Sequence, residues 1–259
     1  MGDDYSAFKP LIKRTIGVDL DLYKETQMKR RLTSLRNQKG FTNFVRYFKA
    51  MEKDKDLLHE FVDRITINVS EFYRNPKRWE VLHQTIFPII MSQHEHETLT
   101  IWSAACSTGE EPYSVAMMID TYFPEANIRI MATDIDEGAL EKAKVGIYQK
   151  YALKDLPIIL KKRYFTEEKG LYHIDSSIKR MVSFKKHNLL ADPYPHNVHL
   201  IICRNVLIYF TDEAKDHIYR DFSTSLKQNG VLFVGSTEQI FNPAEYNLSL
   251  MDTFYYQKK

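Results

Sequence analysis

The amino-acid sequence predicts an α/β protein built on a doubly wound, mostly parallel sheet, with a small all-helical domain before it and a small β insertion within it. Two observations lead to this fold class. From Thr98 onward, short runs of β-prone residues alternate with amphipathic helical runs, which is typical of a parallel sheet with helices on both faces. Residues 1–75 contain helical patterns only, and a chain of 259 residues is long enough for two modest domains.

The helical region is predicted to contain four helices, each with an apolar stripe. Their predicted ranges are Tyr5–Ile16, Leu22–Gln38, Phe41–Met51 and Leu57–Ile67. A polar connector follows, and then a helical linker over residues 76–97, in which the predicted helix Lys77–Gln93 contains Pro88. Because proline lacks an N–H group and clashes with the preceding helical turn, we expect a kink at this position.

The sheet domain is predicted over residues 98–259. Its first strand begins at Leu99, and the further strands are expected at Ile128–Thr133, Val198–Cys203, Val231–Gly235 and, as a final edge strand, Leu248–Gln257. The section from about 151 to 185 breaks the alternation of strands and helices, because it contains two strand-like runs, Gly170–Ile174 and Met181–Lys185. We interpret part of this section as a small inserted β hairpin.

The first strand leads into a turn of the kind that binds ligands in such folds. Small residues run from Ser103 to Gly109, and Glu110-Glu111-Pro112 opens the next helix. Ligands of doubly wound sheets bind at these turns, outside the carboxyl ends of the strands. Asp134 follows the second strand, at the place where open α/β folds put the acid that contacts a ribose.

The chemistry of this turn indicates a nucleoside ligand without a phosphate. The turn has neither a G-x-G-x-x-G pattern nor a phosphate-loop pattern, and Glu110 and Glu111 stand where a phosphate would dock on the helix N-terminus. Carboxylates there would repel a phosphate and would suit a ligand that carries an amine or another cation. S-adenosylmethionine fits, since it has a ribose, a sulfonium and an α-amine. An ordinary βα turn with helix-capping acids is the alternative at this point.

The overall composition is that of an ordinary globular protein, with a net charge of only +2. Cys106 and Cys203 lie far apart in sequence, which favours a reducing compartment over a disulfide framework. The sequence has no apolar run of membrane-spanning length, and Met1–Tyr5 is unlike the start of a signal peptide. We therefore expect a cytoplasmic monomer that does not insert into the membrane. His94-Glu-His-Glu97 lies in a polar linker with no third ligand suggested nearby, so we interpret it as solvated and expect no metal.

The second predicted helix has an unusual charge. Residues 24–39 carry six basic side chains and one acidic side chain, a net charge of +5. Apolar residues at helical spacing mark its buried face: Met28, Leu32 and Leu35. The basic candidates on the remaining surface are Lys29, Arg30, Arg31 and Arg36. That surface is either a solvated face or a docking surface for an acidic partner, which would be a nucleic acid or an acidic protein helix.

Several segments of the chain together resemble one family, the chemotaxis receptor methyltransferases known as CheR. The matching segments are Asn68-Val-Ser-Glu-Phe-Tyr-Arg74, Ala104-Ala-Cys-Ser-Thr-Gly-Glu-Glu-Pro-Tyr-Ser114, Ala132-Thr-Asp-Ile-Asp136, Asn188-Leu-Leu190 and Cys203-Arg-Asn-Val-Leu-Ile-Tyr-Phe210. Their order and spacing span most of the chain, and the basic helix and the small β insertion match as well. Members of this family esterify glutamates of chemoreceptors with S-adenosylmethionine and release S-adenosylhomocysteine. The resemblance therefore implies a class I methyltransferase fold, this cofactor, and the cytoplasmic helical region of membrane chemoreceptors as the partner.

The resemblance also implies roles for individual residues. It assigns cofactor contacts to Asn68, Ser70, Arg74, Glu111, Asp134, Asn188, Leu189, Asn205 and Val206. Within this set Asp134 would contact the ribose, and the connector residues from Asn68 to Arg74 would close over the cofactor from the helical side. Arg74 and Tyr209 lie where the family has residues near the transferred methyl group, so they are the expected catalytic residues. Ser70 stands where the family often has threonine, which preserves the hydroxyl.

Two other functions fit parts of the sequence. An RNA methyltransferase would use the basic helix to hold phosphates, but the segment Lys29–Arg36 lacks the interleaved aromatic residues that would stack on bases. A non-catalytic module that senses the cofactor would be favoured if Arg74 or Tyr209 were missing, and both are present. Glutamate methylation needs no catalytic base, because the acceptor carboxylate is already ionised at neutral pH. We therefore expect this activity and no nucleic-acid partner.

Overall fold

The computed structural model describes residues 4–66 and 68–259 of the chain. Its N-terminal part consists of α1 (Asp4–Ile16), α2 (Glu25–Gln38), α3 (Phe44–Met51) and α4 (Lys55–Thr66), which confirms the predicted helical domain. Helix α2 begins later than predicted because Leu20–Leu22 forms a separate 3-10 turn. Ile67, the predicted end of the fourth helix, lies outside the described residues.

The helical linker contains a π-helical turn next to Pro88, the residue at which the sequence predicted a kink. It consists of α5 (Pro76–Val81), a π-helical turn (Leu82–Ile86) and α6 (Phe87–Gln93). Pro88 lies directly after this wider turn. A π-helical turn changes the hydrogen-bond pattern from i−4 to i−5, so the missing N–H and the bulky ring of a proline are accommodated without ending the helix.

The strands of the second domain form two sheets. In chain order they are β1 (Leu99–Ala104), β2 (Ile128–Asp134), β3 (Ile147–Gln149), β4 (Phe165–Glu168), β5 (Leu171–Ile174), β6 (Val182–Lys186), β7 (Val198–Cys203), β8 (Leu226–Val234), β9 (Leu248–Asp252) and β10 (Tyr255–Lys258). Within the described residues the main sheet has seven strands in the order β6-β2-β1-β7-β8-β10-β9. The pairs from β6 to β8 are parallel, whereas β10 is antiparallel to β8 and β9. The strand order reverses at β1, which makes the carboxyl ends of β1 and its neighbours the expected ligand crevice.

The predicted insertion does contain an antiparallel hairpin, formed by β4 and β5, but the predicted strand-like run Met181–Lys185 is not part of it. The small antiparallel sheet has the order β3-β5-β4 and begins at Ile147. Strand β6 instead pairs in parallel with β2 in the main sheet. Val182 and Phe184 of β6 pack in the core of the main sheet, and this burial determines the sheet to which β6 belongs.

The last predicted strand is also two strands, β9 and β10, which form an antiparallel pair. Phe254, between them, has a positive φ of 73°, which turns the chain back on itself. Strand β8 begins at Leu226, earlier than the predicted Val231, so Asn229 and Gly230 lie within the strand and the preceding helix ends at Ser225.

Helices cover both faces of the main sheet. They are α7 (Glu110–Tyr122), α8 (Glu137–Val145), α9 (Ile158–Tyr164), α10 (Ser176–Arg180) and α11 (Asp212–Ser225). Side chains of α7 and of the helical linker form the core of one face with Ile101 and Ile130. The other face continues into the core of the N-terminal domain through Trp102 and Ile201. None of the helices in the described part of the chain is long and apolar enough to span a membrane.

The N-terminal domain is joined to the segment after β7 by backbone contacts. Tyr23 and Phe210 form an antiparallel bridge, with ring centroids 4.9 Å apart. The N–H of Lys24 donates to the Tyr209 carbonyl at 2.9 Å, and the N–H of Thr211 donates to the Leu22 carbonyl at 2.9 Å. The helical domain is therefore attached directly beside the crevice of the sheet.

Candidate functional site

A cleft lies at the carboxyl ends of β1, β2 and β7, between the sheet and the helical domain. It encloses about 980 Å³ of space, including the part open to solvent, which is in the size range of small-molecule sites. Every residue assigned above to cofactor binding or catalysis lines it: Asn68, Ser70, Arg74, Glu111, Asp134, Asn188, Leu189, Asn205, Val206 and Tyr209. Residues far apart in sequence thus share one cleft, while their individual roles stay predictions.

The backbone fixes the carboxylate of Asp134 at the end of β2. Its Oδ2 accepts the N–H of Ser107 at 2.7 Å, and its Oδ1 accepts the N–H of Asp136 at 3.0 Å. The residue is 6 % exposed, and burial raises the pKa of its carboxyl to about 6. Because a carboxylate has about four acceptor positions, both oxygens can still accept a hydrogen bond from a ligand hydroxyl.

The turn between β1 and α7 approaches the cleft through an unusual backbone. Ala105 and Ser107 have positive φ angles of 63° and 50°, and Gly109 has a φ of 93°. A Cβ at Gly109 would lie only 2.9 Å from the Cβ of Ala143, so this position requires glycine. Strained backbone of this kind concentrates at ligand sites, which agrees with the predicted role of the turn.

Glu111 connects the first turn of α7 to Arg204, a residue that the sequence had not singled out. The Oγ of Ser103 donates to Glu111 Oε1 at 2.8 Å, and Arg204 Nη1 lies 3.6 Å from Glu111 Oε2. Burial raises the pKa of the Glu111 carboxyl to about 6, although Arg204 opposes this shift. Arg204 also donates to the Arg74 carbonyl at 2.8 Å and to Asn75 Oδ1 at 3.0 Å, so it connects the acid to the connector.

The side chains of the connector hold it against the sheet domain. Asn68 donates to Asp136 Oδ2 at 2.6 Å, and its Oδ1 accepts the hydroxyl of Ser107 at 3.0 Å. The hydroxyl of Ser70 hydrogen-bonds the carboxylate of Glu110, which opposes the rise in the pKa of this carboxyl caused by burial. Asn68 and Ser70 therefore form one wall of the cleft.

The polar ends of Arg74 and Tyr209 are almost free of protein partners. Within the described residues, the Arg74 guanidinium has one hydrogen bond, a long one of 3.4 Å to the Val69 carbonyl. The Tyr209 hydroxyl has no hydrogen-bond partner in the same part of the chain, and the Arg31 guanidinium lies 5.4 Å from the centre of the Tyr209 ring. Both polar ends are therefore available to a substrate.

The side chain of Asn188 is already engaged in protein contacts. Its Nδ2 donates to the Gly17 carbonyl at 3.0 Å, and its Oδ1 accepts the N–H of Leu190 at 2.9 Å. This residue therefore links the cleft wall to the helical domain, and Leu189 beside it contributes apolar surface. The predicted cofactor contact of Asn188 has to use the remaining N–H or the remaining oxygen lone pair of this amide.

The basic residues of the predicted docking face lie on different sides of α2 and differ in their contacts. Lys29 lies 5.5 Å from the centre of the Tyr5 ring, and Arg36 packs on Phe44, on the flank next to the aromatic core. Arg31 lies on the other flank, where it donates to the Ile65 carbonyl at 3.3 Å and contacts Tyr209, while Arg30 is exposed. The charges of Arg30 and of Arg64, an exposed residue of α4, lower the pKa of Arg31, after the larger effect of burial. Arg30, Arg31 and Arg64 are hereafter called the cleft-side arginines.

The interpretation of His94–Glu97 as a solvated segment without a third partner is wrong for His94, whereas Glu95, His96 and Glu97 are exposed as expected. His94 is buried, and His199 of β7 lies beside it, with Glu97 oxygens 3.7 Å from His94 Nδ1 and 3.2 Å from His199 Nε2. His199 Nδ1 accepts the N–H of Thr100 at 3.0 Å, so the proton of the neutral ring is on Nε2 and points to Glu97. Lys227 also contacts Glu97, and Lys227 and His199 together lower the pKa of this carboxyl to about 2. The group fits a hydrogen-bonded network better than a metal site, because a metal on His199 Nε2 would put a proton on Nδ1 against the Thr100 N–H.

The residues of the cleft fit S-adenosylmethionine. Two acids, Glu111 and Asp134, line the space where a ribose and an amine would be held, and Glu111 is paired with Arg204 at 3.6 Å. The Nε2 atom of His187 is buried and has no hydrogen-bond partner within the described residues, and this residue also lines the cleft. The cleft thus offers polar atoms that the protein itself does not satisfy, as a ligand site does.

The fold and this cleft together define a class I S-adenosylmethionine-dependent methyltransferase. Residues 68–255 match the family model described as "CheR methyltransferase, SAM binding domain", and residues 3–66 match "CheR methyltransferase, all-alpha domain". The chain therefore belongs to the CheR methyltransferase family.

Relatives match along nearly the whole chain. A "Chemotaxis protein methyltransferase" of Listeria innocua serovar 6a is 44% identical over 98% of this chain and 97% of its own length. Proteins with the same description from Borreliella burgdorferi and Salmonella typhimurium are each 33% identical, over 92% and 90% of this chain and 88% and 82% of their own lengths. The family resemblance found in the sequence is thus confirmed.

Proposed function

We propose that this protein transfers a methyl group from S-adenosylmethionine to glutamate side chains in the cytoplasmic helical region of membrane chemoreceptors, forming methyl esters in sensory adaptation. The observation that carries this proposal is the pairing of opposite charges in one cleft. Glu111 and Asp134 suit a cationic ligand, while the nearly free guanidinium of Arg74 suits a carboxylate acceptor. Membership of the CheR family supports the receptor as the partner. We further propose that the protein acts as a cytoplasmic monomer, without a metal and without a nucleic-acid partner.

The chain's own residues would bind and orient the reactants. S-adenosylmethionine supplies a methyl group on a positively charged sulfur. The acceptor glutamate is ionised at neutral pH, so no residue has to remove a proton from it. Arg74 would hold one oxygen of the acceptor, and the Tyr209 hydroxyl would donate a second hydrogen bond. Because the two reacting groups have opposite charges that cancel during transfer, a cleft that excludes water favours the reaction.

The cleft-side arginines would receive the receptor. Receptor methylation regions are long helices rich in glutamate, so they present an acidic surface to this protein. Arg31 contacts the Tyr209 ring. Arg30 and Arg64 are both close enough to Arg31 to lower the pKa of its guanidinium. A glutamate-rich helix bound at these residues would therefore lie beside the cleft. Charge complementarity of this kind mainly increases the association rate and fixes the orientation of the partner.

The direct test of the activity is transfer of labelled methyl groups to receptor-containing membranes. We expect label in the receptor that is released as methanol by mild base, since esters hydrolyse under conditions that leave N-methyl groups intact. Label that resists base would contradict the proposed ester. Label found instead in added RNA would favour the nucleic-acid function.

The receptor surface is tested by reversing two charges, with Arg30→Glu and Arg64→Glu combined. The matched control combines Arg46→Glu and Lys49→Glu, two exposed residues of α3 in the same domain. At low ionic strength we expect about tenfold slower receptor methylation for the first variant only, and a smaller difference at high salt, because salt screens exposed charges. S-adenosylhomocysteine affinity should not change. Equal methylation by both double variants would show that the cleft-side arginines are only a solvated face.

A further inference from the structure

A buried carboxylate, that of Glu238, holds the loop that follows β7. The residue lies after β8 and is only 5 % exposed. Its Oε2 accepts the N–H groups of Asn205 at 2.6 Å and Gly235 at 2.8 Å. Its Oε1 accepts the N–H groups of Leu207 at 2.7 Å and Ile208 at 3.4 Å. One side chain therefore satisfies three N–H groups of the loop and one at the end of its own strand.

The loop needs these acceptors because it leaves the regular structure of the sheet. Asn205 has a left-handed φ of 62°, and Leu207–Tyr209 is a short 3-10 turn. The first N–H groups of a helical turn have no partner within that turn, and a carboxylate is a favourable cap for them. Glu238 acts as such a cap from a position that is distant in sequence.

Gly235 makes this close approach possible. A Cβ at this position would lie 2.2 Å from Glu238 Oε2 and 2.8 Å from the Asn205 nitrogen. Such contacts are far shorter than side chains tolerate, so any other residue at this position would displace the carboxylate or the loop. The four N–H groups also stabilise the charged form of Glu238, against the rise in pKa that burial causes.

We propose that Glu238 is a positioning residue for methyl transfer: by binding the loop backbone, it sets the positions of Asn205, Val206 and Tyr209 in the cleft. Glu238 is not one of the residues that line the cleft, so its effect has to act through the loop. The inference rests on the proposed function, in which Asn205 and Val206 contact the cofactor and Tyr209 contacts the acceptor.

The test compares Glu238→Gln, Gly235→Ala and the control Gln239→Ala, which changes an exposed side chain in the same turn. Glutamine keeps the shape of Glu238 but turns an NH₂ group toward backbone N–H groups. We expect Glu238→Gln and Gly235→Ala each to bind S-adenosylhomocysteine at least about tenfold more weakly than the wild type, as measured by calorimetry on folded protein. Methyl transfer at saturating cofactor should also slow, because Tyr209 lies on the same loop. The control should match the wild type in both measurements.

A purely structural role would lower the midpoint of thermal unfolding and leave the affinity of the folded variants unchanged, which would overturn the proposal. Glu238→Gln and Gly235→Ala break the same contact, so the variant that combines them should bind S-adenosylhomocysteine no more weakly than the weaker-binding of the two single variants. Losses of affinity that add up in the combined variant would also overturn the proposal. If the glutamine variant fails to fold, Gly235→Ala and Glu238→Asp carry the same test. A wild-type protein that binds no S-adenosylhomocysteine would contradict the proposed function, whereas normal binding by the variants would contradict the positioning role alone.

Discussion

Replacement of Asp134 by asparagine removes the charge at the predicted ribose position and keeps the shape of the side chain. Hydrogen bonds to a charged group contribute roughly 1.5–3 kcal/mol, which corresponds to a loss of about 10- to 150-fold in affinity when the charge is removed. The carboxylate is held in place by the N–H groups of Ser107 and Asp136, so the wild-type site loses little entropy when it receives a ligand. We therefore expect a loss in this range for S-adenosylhomocysteine.

The pH dependence of binding follows from the raised pKa of Asp134, which is about 6 in the free protein because the carboxyl is buried. Ribose hydroxyls donate to the ionised form, so the protonated form should bind more weakly, by about the 10- to 150-fold expected for loss of the charge. One unit below this pKa only about one molecule in eleven is ionised, and the apparent affinity should fall roughly five- to tenfold. Glu111 also has a pKa of about 6, so the contribution of Asp134 is the difference between the wild-type profile and the Asp134→Asn profile.

The stability of the folded protein should increase as the pH falls, whereas the affinity for the ligand should decrease. The pKa of Asp134 is higher in the folded protein than its ordinary value of 3.8, so the folded state binds more protons between these values. This shift of about two units costs roughly 3 kcal/mol at neutral pH, a cost that is relieved as the pH falls through about 6 toward 4. Acidification should thus weaken ligand binding and also remove the destabilisation of the folded protein that the buried, ionised Asp134 causes.

The assay is calorimetric titration with S-adenosylhomocysteine between about pH 5 and about pH 7, beside denaturant unfolding without ligand. Equal affinities of wild type and Asp134→Asn at neutral pH would refute the ribose assignment. Parallel pH profiles of the two proteins would refute the claim that the charge of Asp134 controls binding.

The remaining predictions concern the acceptor side of the cleft. Arg74→Ala should lower kcat for receptor methylation by roughly 10- to 100-fold, because it removes a charged donor, and should change S-adenosylhomocysteine affinity much less. Tyr209→Phe should lower kcat by up to about tenfold and keep the ring that contacts Arg31. Steady-state kinetics with calorimetry measures both effects, and an unchanged kcat for either variant would remove that residue from the chemistry.

The position of the cleft could be predicted because parallel strands end at the same edge of a sheet. The strands β1, β2 and β7 are followed by Glu111, Asp134 and Asn205, respectively. The topology brings the ends of these strands together independently of the conformation of the loops between them. Resemblance to a family added Asn68 and Arg74, since polar residues in a connector otherwise look like ordinary caps.

Contacts between distant segments could not be predicted in the same way. Glu238 lies in a turn about thirty residues from the loop that it holds, and a polar residue in a turn has no sequence signal for such a contact. Periodicity correctly predicted the buried face of α2 but not which flank of the helix faces Tyr209. His199 belongs to a buried strand, and only the strand order reveals that its ring lies beside His94.

The cleft belongs to neither domain alone, and this has a mechanical consequence. Its walls include Tyr23 and Ile65 of the helical domain as well as the strand ends of the sheet. The backbone bonds from Lys24 to Tyr209 and from Thr211 to Leu22 fix the Tyr209 segment to the domain that carries the cleft-side arginines. Two such bonds contribute only about 1 kcal/mol each, but they limit the distance that Tyr209 can move relative to α2. If a receptor helix binds the cleft-side arginines as proposed, it would lie at a fixed offset from Tyr209, and one register of glutamates would reach the cofactor at a time.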